Sequence, residues 1–358
     1  MSNTSTFLPM GSATGIGSLP LRDPDEAVAF VESCSLRIPF WPQLPQRAPS
    51  EGMIEQALLP FSDLLQRASR APIYDVMPGA SLELARRLDD SPAELDATRA
   101  AGFFAFEKAL SAGAFAEASA LKGQIVGPVT LAAQLRLGGR PLLEARGPDI
   151  PLAIELFRAL GWYATRLALW QVERLRRWRE NVILMLDEPC LSLAASCASP
   201  VAQHALPILK EALTMIRVGG AVAGMHCCAR LPTAMVYQAH PDLISFDAHQ
   251  GLEVFMADPQ MQAFMQAGGM VAFGLIPTAL DLNAFQPLTL LSRWLETALT
   301  VGNIADLAER SLFTATCGLG LVTKQAKRQS FQFAGQISAS VTTLLRRAAQ
   351  RPSAPDAP

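Results

Sequence analysis

Residues 223–230 read AGMHCCAR: a histidine and two of the chain's six cysteines at consecutive positions, behind small apolar residues. On an extended strand residues i and i+2 point the same way, so His226 and Cys228 can face one ion while Cys227 faces elsewhere. Two further groups of suitable type stand at the ends of other strand-like runs, Asp247 in DLISFDAH (242–249) and Cys317 in SLFTATCGL (311–319). A histidine, two thiolates and a carboxylate suit Zn²⁺, which takes nitrogen, sulfur and oxygen ligands tetrahedrally. Taken singly, the same residues have plainer uses. Buried cysteine commonly serves as a small hydrophobe, and a strand-end histidine often only forms a hydrogen bond. Convergence of acid and thiol from other strand ends on one rim is what favours a metal. LDEP (186–189) adds two adjacent carboxylates. Asp187 or Glu188 would face that rim and hold an amine or a cation, or else cap the N-terminus of the next helix. GIGS (15–18) is a tight turn or a place where backbone N–H groups meet a substrate carboxylate. Cys34, Cys190 and Cys197 read as helix or loop thiols, and His204 and His240 as solvent-facing residues on helix flanks.

Eight short apolar runs would carry these groups: 12–20, 37–45, 123–130, 181–189, 221–228, 242–249, 270–278 and 311–319. Near-continuous apolarity of this kind fits strands buried on both faces of a parallel sheet. Helical stretches separate them. DPDEAVAFVES opens with acidic residues and a proline, as helix starts prefer, and the long amphipathic stretch 150–180 ends in basic residues that match the helix dipole. Further helices are expected at 201–217, 251–267, 284–301 and 325–348. Eight alternations of strand and helix predict a (β/α)₈ TIM barrel, whose working residues stand at the C-terminal strand ends. The expected layout is one barrel domain over 1–350, with 46–120 as inserted loops and helices over the mouth and 351–358 as a frayed tail. An open doubly wound sheet is the competitor, and the missing glycine-rich phosphate fingerprint after the first strand weakens it.

Composition narrows the partners. Half of the 358 residues are hydrophobic, 17% are charged and the net charge is −2. No basic stripe is present to neutralise phosphates, so nucleic acid is not an expected partner. No apolar run reaches the roughly 18–20 residues that span a bilayer, and the first residues lack the pattern of a signal peptide. A cytoplasmic protein with reduced thiols is the resulting expectation.

Taken in order, these residues resemble the catalytic domain of cobalamin-independent methionine synthase, in the superfamily that also holds uroporphyrinogen decarboxylase. The resemblance runs over about residues 12–330. TGIGSLP (14–20) is similar to the family's opening strand, which implies that Ile16, Gly17 and Ser18 receive the carboxylate of homocysteine. GPVTL (127–131) is similar to the third-strand motif. LDEP implies that Asp187 binds the homocysteine amine. The His-x-Cys pair, the segment ending in Asp247 and the TCGL motif (316–319) imply zinc ligation by His226, Cys228, Asp247 and Cys317. Asp247 is one methylene shorter than the family's usual glutamate.

The departures concern the methyl donor. The folate-dependent members carry an extra N-terminal barrel, for which the sequence has no room. A tryptophan that stacks on folate is replaced by Gln134, and a histidine after the seventh strand is missing from GLIPT (274–278). The glutamate that helps hold homocysteine is not evident around residues 45–55. The resemblance therefore implies a single-barrel, folate-independent enzyme that methylates L-homocysteine on zinc from a methylated corrinoid, free or protein-bound. The alternatives are a zinc-dependent corrinoid methyltransferase acting on another thiol, a protein like uroporphyrinogen decarboxylase, or a metal-binding or sensing protein without turnover.

Overall fold

The computed structural model describes residues 7–68 and 72–350. The expected tail at 351–358 and the first six residues lie outside that range. The strands in chain order are β1 (Ser12–Ala13), β2 (Leu65–Ala68), β3 (Ile73–Val76), β4 (Leu121–Val126), β5 (Leu135–Leu137), β6 (Arg140–Pro141), β7 (Val182–Asp187), β8 (Val222–Cys227), β9 (Leu243–Phe246), β10 (Met270–Ile276) and β11 (Ser311–Ala315). Seven of them form one curled, wholly parallel sheet in the order β1-β11-β10-β9-β8-β7-β4.

The expected second strand, 37–45, makes no ladder. Its run RIPFWPQLP carries prolines at 39, 42 and 45, each without an N–H to donate. It makes single parallel bridges instead, Phe40 to Lys122 on β4 and Gln43 to Ser18 beyond β1. The first strand is likewise shorter than the expected 12–20. The sheet therefore has seven laddered strands where eight were expected.

Side chains alternate across this sheet. Ile183, Met185, Leu243, Met270, Ala272 and Leu312 pack together on its concave face, in a cluster separate from the larger core. Their neighbours Val182, Leu184, Leu186, Ala223, Met225, Ile244 and Phe246 join the larger core, which includes the helices. By the two-residue period, Asp187 follows Ile183 and Met185 on the concave side. The covering helices are Pro24–Ser33, Ile150–Arg176, Ala205–Val218, Pro287–Ala298 and Lys324–Ala349. The helix expected over 251–267 is two, Ala248–Ala257 and Pro259–Gln266. They part at Asp258, which caps the second one ahead of its N1 proline.

The region 46–120 holds more than loops and helices. Its β2 and β3 pair antiparallel, and β3 pairs parallel with β5, which lies beyond β4 in the chain. β5 and β6 close a two-residue hairpin through Gly138 and Gly139, both at positive φ, as a type I′ turn requires. This second sheet, β2-β3-β5-β6, is tied to the segment following the C-terminal end of β4. Phe61, Leu84, Leu88, Phe103 and Phe106 of the same region share the larger core. No helix among the described residues is long and apolar enough to cross a membrane.

Candidate metal centre

β8 ends in the predicted alternation. Cys227 is buried toward the helices, its thiol directed to the carbonyls of Ala229 and Arg230, and burial pushes it up to about 12. His226 and Cys228 instead meet Cys317, which follows β11. One ligand atom of each of the three lies within 4.8 Å of the others, so the group could hold a metal ion. Atoms bound to one tetrahedral ion at about 2.0–2.3 Å would stand about 3.3–3.8 Å apart, within reach of a small adjustment.

Local contacts prepare these side chains. His226 is 4% exposed. Its Nδ1 lies 2.9 Å from the Ser245 hydroxyl on β9, its register partner, while its Nε2 is buried with no hydrogen-bond partner among the described residues. A buried ring nitrogen without a partner is costly unless something outside the protein satisfies it. The neighbouring Cys317 thiol and burial push the Cys228 thiol well up. Cys317 is held well below the usual thiol value, chiefly by the neighbouring Cys228 thiol and further by His226. All six cysteines are free.

Asp247 does not join this group. β9 ends at Phe246, and the Asp247 carboxylate accepts a hydrogen bond from the Gln250 amide at 3.0 Å, capping the helix Ala248–Ala257. The expected fourth ligand is a helix cap in this structure. His249, the last residue of the DLISFDAH run, lies inside that helix with its ring edge-on to Phe285.

The two carboxylates of LDEP divide their work. Asp187 stands beside His226 in the strand register, and its Oδ1 is buried without a partner among the described residues. Burial pushes its carboxyl up to about 6, against the pull of His226 and Lys122. Glu188 turns away, fully buried, and accepts hydrogen bonds from the N–H groups of Val129 and Thr130 at 2.9 and 2.7 Å and from the Thr130 hydroxyl at 2.7 Å. It therefore caps the helix Pro128–Ala133 after β4, not the helix that follows it in sequence. Burial raises its carboxyl to about 7, with those hydrogen bonds pulling the other way. Gly127 makes the approach possible, since a Cβ there would lie 2.2 Å from Glu188 Oε1. GPVT and LDEP are thus two halves of one contact.

Ile16, Gly17 and Ser18 run beside the loop after Cys317. The Leu319 amide donates to the Ser18 carbonyl, and the Gly320 amide donates to the Ser18 hydroxyl at 3.1 Å. The amides of Gly17 and Ser18 donate to no protein acceptor among the described residues. Gln134, in the position expected to lack a stacking ring, donates to the Cys190 sulfur at 3.5 Å. Two residues at this place escaped the sequence reading. Ser245 looked like one more strand residue, although strand register alone would have put it beside His226. Lys122 is buried on the concave side of β4, where burial lowers it to about 8 against the pull of Asp187. No sequence profile of a known protein family matches the chain, and no curated protein does either.

Proposed function

We propose that this chain is a zinc-dependent methyltransferase that moves a methyl group from a methylated corrinoid to the thiol of L-homocysteine. The observation that carries the reading is the buried, unpartnered His226 Nε2 beside the thiols of Cys228 and Cys317, with the unpartnered Asp187 Oδ1 on the neighbouring strand end. His226, Cys228 and Cys317 would hold the ion, two of the three as soft anionic ligands that suit zinc. Bound there, zinc would supply a Lewis acid that keeps a substrate thiol deprotonated at neutral pH.

The remaining work falls to the chain's own side chains. Asp187 takes the substrate ammonium, and the free amides of Gly17 and Ser18 take its carboxylate. Held at both ends, the substrate points its sulfur toward His226, Cys228 and Cys317. The thiolate attacks the donor methyl carbon: a carbon–sulfur bond forms, the cobalt–carbon bond breaks, and the electron pair stays on cobalt. No acid is required for that leaving group. Gln134 offers no ring to stack on a pterin, and GLIPT has no histidine to protonate one. These two positions favour the corrinoid over methyltetrahydrofolate.

The same reading takes the sheet as a (β/α)₈ barrel, with residues 38–43 in the eighth position between β4 and β1. The single bridges from Phe40 and Gln43 support it. Six free thiols suit a reducing compartment such as the cytoplasm. The test is purified, corrinoid-free protein given homocysteine with methylcobalamin or with methyltetrahydrofolate, with methionine as the readout. Methionine from the first donor alone is expected; turnover with the folate alone would overturn the donor, and none with either would overturn the activity.

A further inference from the structure

Lys122 is a buried ammonium at the floor of the candidate site, 4% exposed. Its Nζ donates to the Ile16 carbonyl at 2.6 Å and to Gln124 Oε1 at 3.1 Å, both neutral acceptors. Gln124 is held in turn, donating to the Trp41 carbonyl at 3.0 Å, and its side chain packs with that of Gln43 directly against Gly17. Burying an ammonium costs several kcal/mol unless it is well paired, and a methionine would fill the same space without that cost. The carboxylate that acts on it is Asp187, yet no ion pair within 4.0 Å joins the two among the described residues. The lysine therefore spends the shorter of its two hydrogen bonds on the back of one peptide group. That peptide joins Ile16 to Gly17, and its N–H is one of the two left without a protein acceptor. A carbonyl that accepts from a cation polarises its peptide and makes the N–H on the other side a stronger donor.

We propose that Lys122 is a positioning residue that turns the Gly17–Ser18 amides into a carboxylate site, so that with Asp187 the mouth selects thiols that are also zwitterionic α-amino acids. The inference rests on the proposed function for the thiol, for Asp187 as the ammonium partner and for the Gly17 and Ser18 amides as donors to the carboxylate. It adds which residue sets selectivity for the α-carboxylate, and by what means.

Zinc-loaded protein titrated calorimetrically with homocysteine and with 3-aminopropane-1-thiol, which keeps thiol and amine but lacks the carboxylate, isolates that preference. In Lys122→Met, homocysteine should bind about tenfold more weakly while the aminothiol binds as before, the loss of one charge-assisted contribution. Bound zinc per chain should not change. Lys122→Gln, which keeps a donor but not the charge, should show the same narrowed ratio and serves if the methionine variant does not fold. An unchanged ratio overturns the proposal. An equal loss for both thiols overturns it as well, because that is the signature of a lysine serving only the fold, and so does the failure of both variants to fold. Absence of homocysteine binding to the wild type would instead strike the proposed function, and is read from the wild-type titration alone.

Discussion

The hydroxyl of Ser245 lies 2.9 Å from Nδ1 of His226, across adjacent positions of β9 and β8, and this leaves Nε2 as the nitrogen that faces Cys228 and Cys317. A metal-binding imidazole whose other nitrogen is held keeps one tautomer and one ring orientation, and loss of such a partner typically costs about 10–100-fold in metal affinity. Ser245→Ala should weaken zinc binding by that amount in a chelator competition, and Ser245→Thr should restore most of it. Wild-type affinity in the alanine variant would mean that packing alone holds the ring.

Cys228→Ser and Cys317→Ser should each strip most of the bound zinc. Structural zinc binding of about 10–16 kcal/mol shared over four ligands comes to about 3 kcal/mol each, roughly a hundredfold in affinity. Cys227→Ser should leave zinc bound, because that thiol is buried on the helix side of β8. Metal analysis after desalting separates the three variants, and loss of zinc from the Cys227 variant alone would invert the assignment.

Asp247→Ala should keep its zinc and lose stability. Removing the cap of the helix Ala248–Ala257 costs about 1 kcal/mol, a fall of about 1–2 °C in Tm. Loss of zinc with no change in Tm would restore this carboxylate as a ligand.

Asp187→Asn should weaken homocysteine binding about tenfold while zinc stays in place, since the neutral amide cannot give the charge-assisted bond to an ammonium. Calorimetry with homocysteine checks it. Unchanged affinity would remove the amino-acid end of the proposed substrate.

Glu188 gives a pH dependence. Its carboxyl is raised from 4.5 to about 7 in the fold, chiefly by burial. A group that holds its proton more tightly when folded contributes stability below its unfolded value, and the contribution is lost as pH rises through the folded one. The advantage of the wild type over Glu188→Gln in urea midpoint should therefore be larger near about pH 5 than near about pH 7.5. An advantage that grows with pH would show that the three donated hydrogen bonds outweigh burial.

What the sequence made legible was local. The alternation at His226 and Cys228 follows from a two-residue period, and both the helix side of Cys227 and the opposite side of its neighbours, toward Cys317, are as that period requires. The GG pair between Leu137 and Arg140 is an equally local hairpin signal, and β5 and β6 close on it. At Asp247 two local signals compete, an apolar run ending in an acid and an Asp-x-x-Gln capping pattern through Gln250, and the cap prevails because β9 stops at Phe246. The role of Glu188 was out of reach for a different reason. Its partners are 58 and 59 residues earlier in the chain, and only the pairing of β4 with β7 brings them together.

The Gly127–Glu188 contact also constrains how this chain can diverge. Any side chain at 127 would occupy the space that the Glu188 carboxylate uses, and any residue at 188 that cannot accept leaves the N–H groups of Val129 and Thr130 without a partner in a dry place. Neither position can drift alone without loss of stability; they must be exchanged as a pair. Asp187 is peptide-bonded to one member of that pair, so the backbone that carries the proposed amine-binding carboxylate is anchored by residues that would never touch the substrate.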